Sequence, residues 1–144
     1  MKAVYDHPKY YEIAFSYRDI GVEVDTFEGC LKKYAELPVK SILELGCGNS
    51  PHMEALLKRG YAYTGLDISE AMLEYSARKA SAVPGKVAFV HADMNDFSIS
   101  ETFDFVYIML GSLSARNTEE LISHFRSVAR VLNTGGFIPD GLVR

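Results

Sequence analysis

The chain has 144 residues, 48% of them apolar and 24% charged, with a net charge of −4 and a pI near 5.5. That length suits one domain able to bury roughly 68–70% of its unfolded surface. The acidic balance argues against a general grip on nucleic acid, no apolar run reaches the ~18 residues of a membrane span, and Cys30 and Cys47 make neither a disulfide framework nor a zinc spacing. The N-terminus lacks the basic-then-apolar pattern of a secretory signal, so the expected setting is reduced and cytoplasmic, with no membrane partner and no metal.

The segment up to about Leu37 is rich in Tyr and Phe, with Phe27, Cys30, Leu31 and Tyr34 at helical spacing, and Pro38 stops it. A strand–helix rhythm follows. "VKSILEL" reads as a strand, "PHMEALLKRG" as a helix with Pro51 in its first turn and Gly60 past its end, and "YAYTGLD" as a second strand. "SEAMLEYSARKA" reads as a helix capped by Ser69, Pro84-Gly85 as a turn, "KVAFVHAD" as a third strand and "FDFVYIML" as a fourth, buried on both faces. "NTEELISHFRSVARVLN" is a helix with Leu121, Phe125, Val128 and Leu132 on one face. Gly135-Gly136 is expected to end it, and "GFIPDGL" to start a fifth strand. Alternation of this kind predicts an α/β fold, a doubly wound parallel sheet covered on both faces. Ligands of such sheets sit outside the carboxyl ends of the strands, near the reversal of strand order.

That rule directs attention to the strand ends. Gly46 and Gly48 permit a sharp turn and close backbone approach. A dinucleotide site would want a third glycine at 51. Pro51 stands there instead and offers no N–H to a phosphate, which disfavours a nicotinamide-dependent dehydrogenase. Asp67 ends the second strand, where a carboxylate can accept both hydroxyls of a ribose; it could also cap a helix, a role Ser69 already fills. Asp93, followed by Met94, offers an acceptor, a backbone donor and an apolar wall suited to an adenine, and an Asx-turn is expected at Asp96 rather than at Asp93. His7, His52, His91 and His124 read as structural or surface residues.

The blocks "ILELGCGNS", "YTGLDISEAMLEYSARKA", "VAFVHADMNDF", "FDFVYIMLGSL" and "VARVLNTGGF" resemble, in order and spacing, the class I S-adenosylmethionine-dependent methyltransferases over about Val39 to Phe137. The resemblance implies a Rossmann-like S-adenosylmethionine-binding domain over 39–144 and an N-terminal helical lid over 1–38 that Tyr11, Tyr17 and Arg18 could line, the alternative for these residues being an amphipathic helix packed on the domain. It implies that the Gly46-Cys47-Gly48 backbone packs on the methionine moiety, with Glu44 orienting the loop and facing its ammonium. Asp67 would hold the ribose and Ile68 would lie against the adenine. Asp93 and Met94 would bond that base, and Met109 and Leu110 would lie beneath the sulfonium. The cofactor motifs dictate no catalytic residue, since orienting the acceptor supplies much of the acceleration and a base is needed only if the acceptor must lose a proton.

"MLGSL" departs from the Asn/Asp-Pro-Pro-aromatic block of enzymes that methylate DNA bases, so a small-molecule acceptor is expected. The alternative is a cofactor-binding or interaction module of the same fold without independent catalysis. A complete family domain has seven strands. This chain is expected to hold strands one to five and to lack the last two, leaving an apolar edge around Pro139. From that edge we expect a homo-oligomer and weak or no turnover by the short form alone.

Overall fold

The structure, a computed structural model, describes residues 2–109 and 111–137. It contains a five-stranded parallel sheet in the order β3-β2-β1-β4-β5. The strands are β1 (Ser41–Leu45), β2 (Ala62–Asp67), β3 (Val87–His91), β4 (Phe103–Ile108) and β5 (Leu132–Phe137). Short helices α1 (Lys2–Tyr5) and α2 (Pro8–Ala14) and the longer α3 (Ile20–Tyr34) precede the sheet. Within it, α4 (Met53–Lys58) joins β1 to β2, α5 (Glu70–Ala80) joins β2 to β3, and α6 (Thr118–Val131) joins β4 to β5. The expected alternation and doubly wound arrangement are observed. The order reverses between β1 and β4, which opens the crevice expected of such sheets. No helix among the described residues is long and apolar enough to cross a membrane.

The two faces of the sheet are chemically unlike. Side chains alternate along each strand. Ile42, Tyr63, Phe105 and Tyr107 pack with Val24, Phe27 and Leu31 of α3 and Met53, Leu56 and Leu57 of α4, and Glu44 shares the parity of Ile42 and is buried too. On the other face Leu43, Leu45, Leu66, Val106 and Ile108 meet Val128 and Val131 of α6 and Phe97 of the β3–β4 connection. At the amino ends of the strands Asp104 pins three of them together. Its Oδ2 accepts from the backbone N–H of Lys40 (2.9 Å) and Ser41 (3.0 Å), and its Oδ1 from Asn133 Nδ2 (2.8 Å).

Several local expectations need correction. α4 begins at Met53, not at Pro51, because the chain first completes a turn in which Met53 N–H bonds to Ser50 O. α6 buries His124, Ser127, Val128 and Val131, while Phe125 is half exposed, so the sheet-facing stripe lies one residue round from the expected one. That helix does not end at Gly135-Gly136. Leu132 leaves helical geometry with ψ near 128° and the chain enters β5 directly, with a register shift against β4. The expectation of an exposed edge at Pro139 concerns residues outside those described.

Candidate functional site

β1 ends in a loop that turns by left-handed backbone at Gly46 (φ 65°), Gly48 (φ 51°) and Ser50 (φ 51°). At Gly46 a Cβ would stand 2.9 Å from Met94 Cε and 3.3 Å from Ser112 Cβ, so the loops after β3 and β4 close directly on this glycine. At Gly48 a Cβ would meet nothing within 4 Å, because that residue borders open space. Ser50 has no such freedom. Its left-handed conformation costs about 1–3 kcal/mol and is held by burial and by the Ser50 N–H to Cys47 O bond of 2.8 Å.

The open space is a cleft of about 960 Å³ above the carboxyl ends of the strands. Gly46, Gly48, Asp67, Ile68 and Met94 line it, as does Tyr11 from the N-terminal segment. Tyr5, Asp6, Ser69, Glu70, Ala71, His91, Ser112 and Ser114 complete the wall. Its charged side chains are Asp6, Asp67 and Glu70, and no lysine or arginine appears among its described lining residues. Such a wall suits a ligand with more positive than negative charge. The volume suits a nucleoside-sized molecule, since ligand pockets run about 300–1,000 Å³.

Asp67 organises the floor. Its Oδ2 accepts the Gly48 N–H at 2.7 Å and its Oδ1 the Ser69 N–H at 2.8 Å, while Ser69 Oγ caps α5 by accepting from Met72 N–H. Each carboxylate oxygen keeps a further lone pair for a ligand hydroxyl. Ile68 is 68% exposed, an apolar side chain held out over the cleft by the turn between β2 and α5. Gly48 O accepts from Ser76 Oγ (2.9 Å) and Asn49 O from Lys79 Nζ (2.9 Å), so α5 braces the loop from behind.

The other sequence-expected residues lie apart from the cleft wall. Cys47 points under β2, where a Cβ on Gly65 would sit 2.7 Å from its Sγ, and burial pushes its thiol well above the usual range. Glu44 is buried beneath the loop and accepts from the Tyr63 hydroxyl at 2.5 Å. Asp93 is exposed, and the Asx-turn expected at Asp96 belongs to it instead: its Oδ1 accepts from Asn95 N–H at 2.8 Å. Met109 is half-buried against the α3 face of the sheet. Leu110 lies outside the described residues.

Besides the core packing of α3, the N-terminal segment meets this framework through Glu12 and Arg18. Glu12 of α2 meets Lys79 Nζ (2.7 Å) and the Tyr75 hydroxyl (2.5 Å) of α5. Arg18 pairs with Glu23, whose Oε2 lies 2.6 Å from the Nε2 of His52. Tyr11 joins a run of rings through Tyr5 and Phe15, whereas Tyr17 is 79% exposed and is not among the described residues that line the cleft. His52, expected only as a structural or surface histidine, is buried with no exposed side-chain surface. It precedes α4 without capping it, since its ring is engaged with Glu23, Glu44 and Tyr107 instead. The local sequence gives no signal for partners so far along the chain.

Residues 42–136 match the family model described as a methyltransferase domain. A putative methyltransferase of Bacillus subtilis (strain 168), YqeM, is 36% identical over 107 residues, covering 72% of this chain and 43% of the relative. The dTDP-4-amino-2,3,4,6-tetradeoxy-D-glucose N,N-dimethyltransferase of Saccharopolyspora spinosa is 28% identical over 133 residues, covering 91% of this chain and 52% of the relative. Among solved structures, Streptomyces venezuelae DesVI superimposes with a TM-score of 0.78 at 26% identity, over 90% of this chain and 54% of that one. The sugar N-methyltransferase KedS8 from Streptoalloteichus gives 0.73 at 29% identity, over 88% and 50%. The chain thus spans about half the length of the curated relatives it matches.

Proposed function

The chain belongs to the class I S-adenosylmethionine-dependent methyltransferases, and from that membership we propose that its cleft binds S-adenosylmethionine for methyl transfer to a small-molecule acceptor. The observation that carries the reading is the acidic cleft at the strand-order reversal, floored by Asp67 and open at Gly48. The residues fit this cofactor. Its ammonium and sulfonium outweigh its carboxylate, matching a wall that holds carboxylates and no lysine or arginine among its described residues. Asp67 would take the ribose hydroxyls on its free lone pairs, Gly46, Cys47 and Gly48 would offer backbone to the methionine moiety, and Ile68 and Met94 would flank the adenine. Asp93 would reach the adenine amine with the oxygen its Asx-turn leaves unused, and Met109 and Leu110 would support the reacting end. Glu44 acts from beneath, by fixing where the loop starts.

When bound, the sulfonium supplies an electrophilic methyl group. This chain's residues would orient it, exclude water with Tyr5 and Tyr11, and surround it with carboxylates rather than with lysine or arginine. The named activities of two relatives, N,N-dimethyltransferases of dTDP-amino sugars, point to an amine of a sugar-like acceptor.

Calorimetric titration tests the reading. S-adenosylhomocysteine should bind and NAD should not, and Asp67→Ala should weaken the former about ten- to a hundredfold, the loss of hydrogen bonds to a charged group worth roughly 1.5–3 kcal/mol. Tighter binding of NAD, or an unchanged dissociation constant in the variant, would refute it. Turnover on a panel of amino sugars, with radiolabelled methyl donor, separates an enzyme from a binding module.

A further inference from the structure

His52 lies outside the cleft, yet its side chain has no exposed surface and every neighbouring element presents it with a polar or aromatic group. From α3, Glu23 Oε2 stands 2.6 Å from Nε2 and the Phe27 ring lies edge-on with centroids 5.1 Å apart. From the turn before α3, Arg18 Nη2 is 3.3 Å from Nε2, and Arg18 Nε donates to Glu23 Oε1 at 2.9 Å. From β1, Glu44 Oε1 is 3.5 Å from Nδ1. From β4, the Tyr107 hydroxyl is 3.2 Å from the same nitrogen. From β2, Tyr63 reaches the ring only through Glu44.

The donors and acceptors restrict where protons can be. A carboxylate only accepts, so Nε2 carries hydrogen and donates to Glu23, and the hydrogen bonds of Arg18 go to Glu23 rather than to the ring. Nδ1 has two options. Bare, it accepts from the Tyr107 hydroxyl and turns a lone pair toward Glu44. Protonated, it points its hydrogen at Glu44 and frees Tyr107 to donate to that carboxylate. The charge count favours the second arrangement, because one guanidinium stands against two carboxylates until His52 gains its proton. Burial alone opposes an imidazolium, but Glu44 and then Glu23 outweigh it and hold His52 above its ordinary range.

We propose that His52 is a positioning residue whose second proton seats the N-terminal segment on the end of β1, so that closure of that segment over the cleft takes up a proton. The consequence for cofactor affinity rests on the binding reading above. Arg18 and Glu23 lie where the segment joins α3, Glu44 leads into the glycine loop, and His52 touches both. Tyr11, in the same segment, lines the cleft. Loss of the proton leaves the buried Glu44 and the partly buried Glu23 on either side of a neutral ring, with Arg18 alone against two carboxylates. The anchor at Arg18 and Glu23 then loosens at the start of α3, whose Val24, Phe27 and Leu31 stay in the core, and the contacts of Glu12 with Lys79 and Tyr75 are left to hold the residues before it.

Two measurements on this chain test the linkage. Without ligand, hydrogen exchange of the Tyr11 and Phe15 amides, corrected for intrinsic rates, is followed from about pH 6 to about pH 9 in wild type and His52→Gln. Protection should fall in wild type as pH passes the His52 midpoint, and should be flat in the variant. With S-adenosylhomocysteine as probe, wild-type affinity should fall by up to about tenfold per pH unit above that midpoint, with no such slope in the variant. Equal slopes in the two proteins, or none in wild type, would overturn the proposal. Should His52→Gln fail to fold, the wild-type imidazole resonance gives the midpoint directly, and a protection change centred elsewhere would overturn it. Failure of the probe to bind at any pH refutes the cofactor reading alone, and the exchange experiment still decides this one.

Discussion

The two faces of the sheet are built from alternate residues of the same strands and have opposite characters. The α6 face is the drier of the two and mostly apolar: Leu43, Leu45, Leu66, Val106 and Ile108 meet Val128 and Val131 with Phe97 and Phe103 beside them, and its polar contacts, from Ser127 and His124, go to backbone groups of the β3–β4 connection. The α3 face is aromatic and contains Glu44, His52, Tyr63 and Tyr107 joined by hydrogen bonds, with burial and the Glu44 charge pushing both tyrosine hydroxyls well above their ordinary range. The first face is stabilised mainly by buried apolar area. The second couples stability to proton count and to the segment beside the cleft. One sheet thus separates what holds the domain together from what its site responds to.

The sharpest way to break this contrast is Glu44→Ala, which leaves Tyr63 and His52 buried without their shared acceptor. We expect a loss of about 3–5 kcal/mol by urea denaturation. We also expect a flatter pH profile. In wild type the raised His52 value means its contribution is complete below about pH 6.5 and is lost as pH rises through the folded value. The variant should lose most of that alkaline decline, and a parallel curve would show that the two residues are not coupled.

Leu43→Ala is the control from the dry face. It should cost about 3 kcal/mol, within the roughly 2–5 kcal/mol of buried leucine truncations, and keep the wild-type pH slope. A changed slope would mean that the faces are not separable. Gly65→Ala drives a methyl group to 2.7 Å from Cys47 Sγ, and should cost about 1–3 kcal/mol while weakening S-adenosylhomocysteine through the displaced loop. Adding Cys47→Ala should restore part of both losses; no rescue would place the strain elsewhere. Smallest is Lys79→Met, which removes a half-exposed ion pair to Glu12 and a bond to Asn49 O. About 0.5–1 kcal/mol of stability should go, along with protection of the amides of α2, and exchange unchanged in α2 would show that this contact does not hold the segment.

Much of the dry face and of the cleft floor could be read from the sequence, because both depend on local signals. Strand alternation, the Gly46 and Gly48 turn and the Ser69 cap with Asp67 before it all lie within a few residues of one another. The α3 face could not be read in that way. Glu44 sits in a motif that suggested contact with a ligand, but its direction is set by strand parity and by Tyr63 on a neighbouring strand. His52 finds Glu23 and Tyr107 at separations of 29 and 55 residues. Periodicity identified α6, yet Phe125 and Val128 lie on neighbouring stripes, and only packing against β4 decides which turns inward. An Asx-turn is expected at Asp96, whereas Asp93 makes it, and Asp96 N–H bonds back to Asp93 O within the same tight turn.

The contacts of Asp104 acquire a meaning from this asymmetry. A strand slipped by one residue exchanges its faces completely. In β1 such a slip would push Glu44 into the aliphatic layer and present Leu43 and Leu45 to His52. Parallel pairing alone is a weak defence, since its evenly spaced hydrogen bonds look alike at each register. A single carboxylate that takes the N–H groups of both Lys40 and Ser41 and holds Asn133 on the opposite side distinguishes the correct alignment from its neighbours. Asp104 therefore ties the alignment of β1, β4 and β5 at their amino ends, so that a slipped β1 would lose these hydrogen bonds as well as its packing.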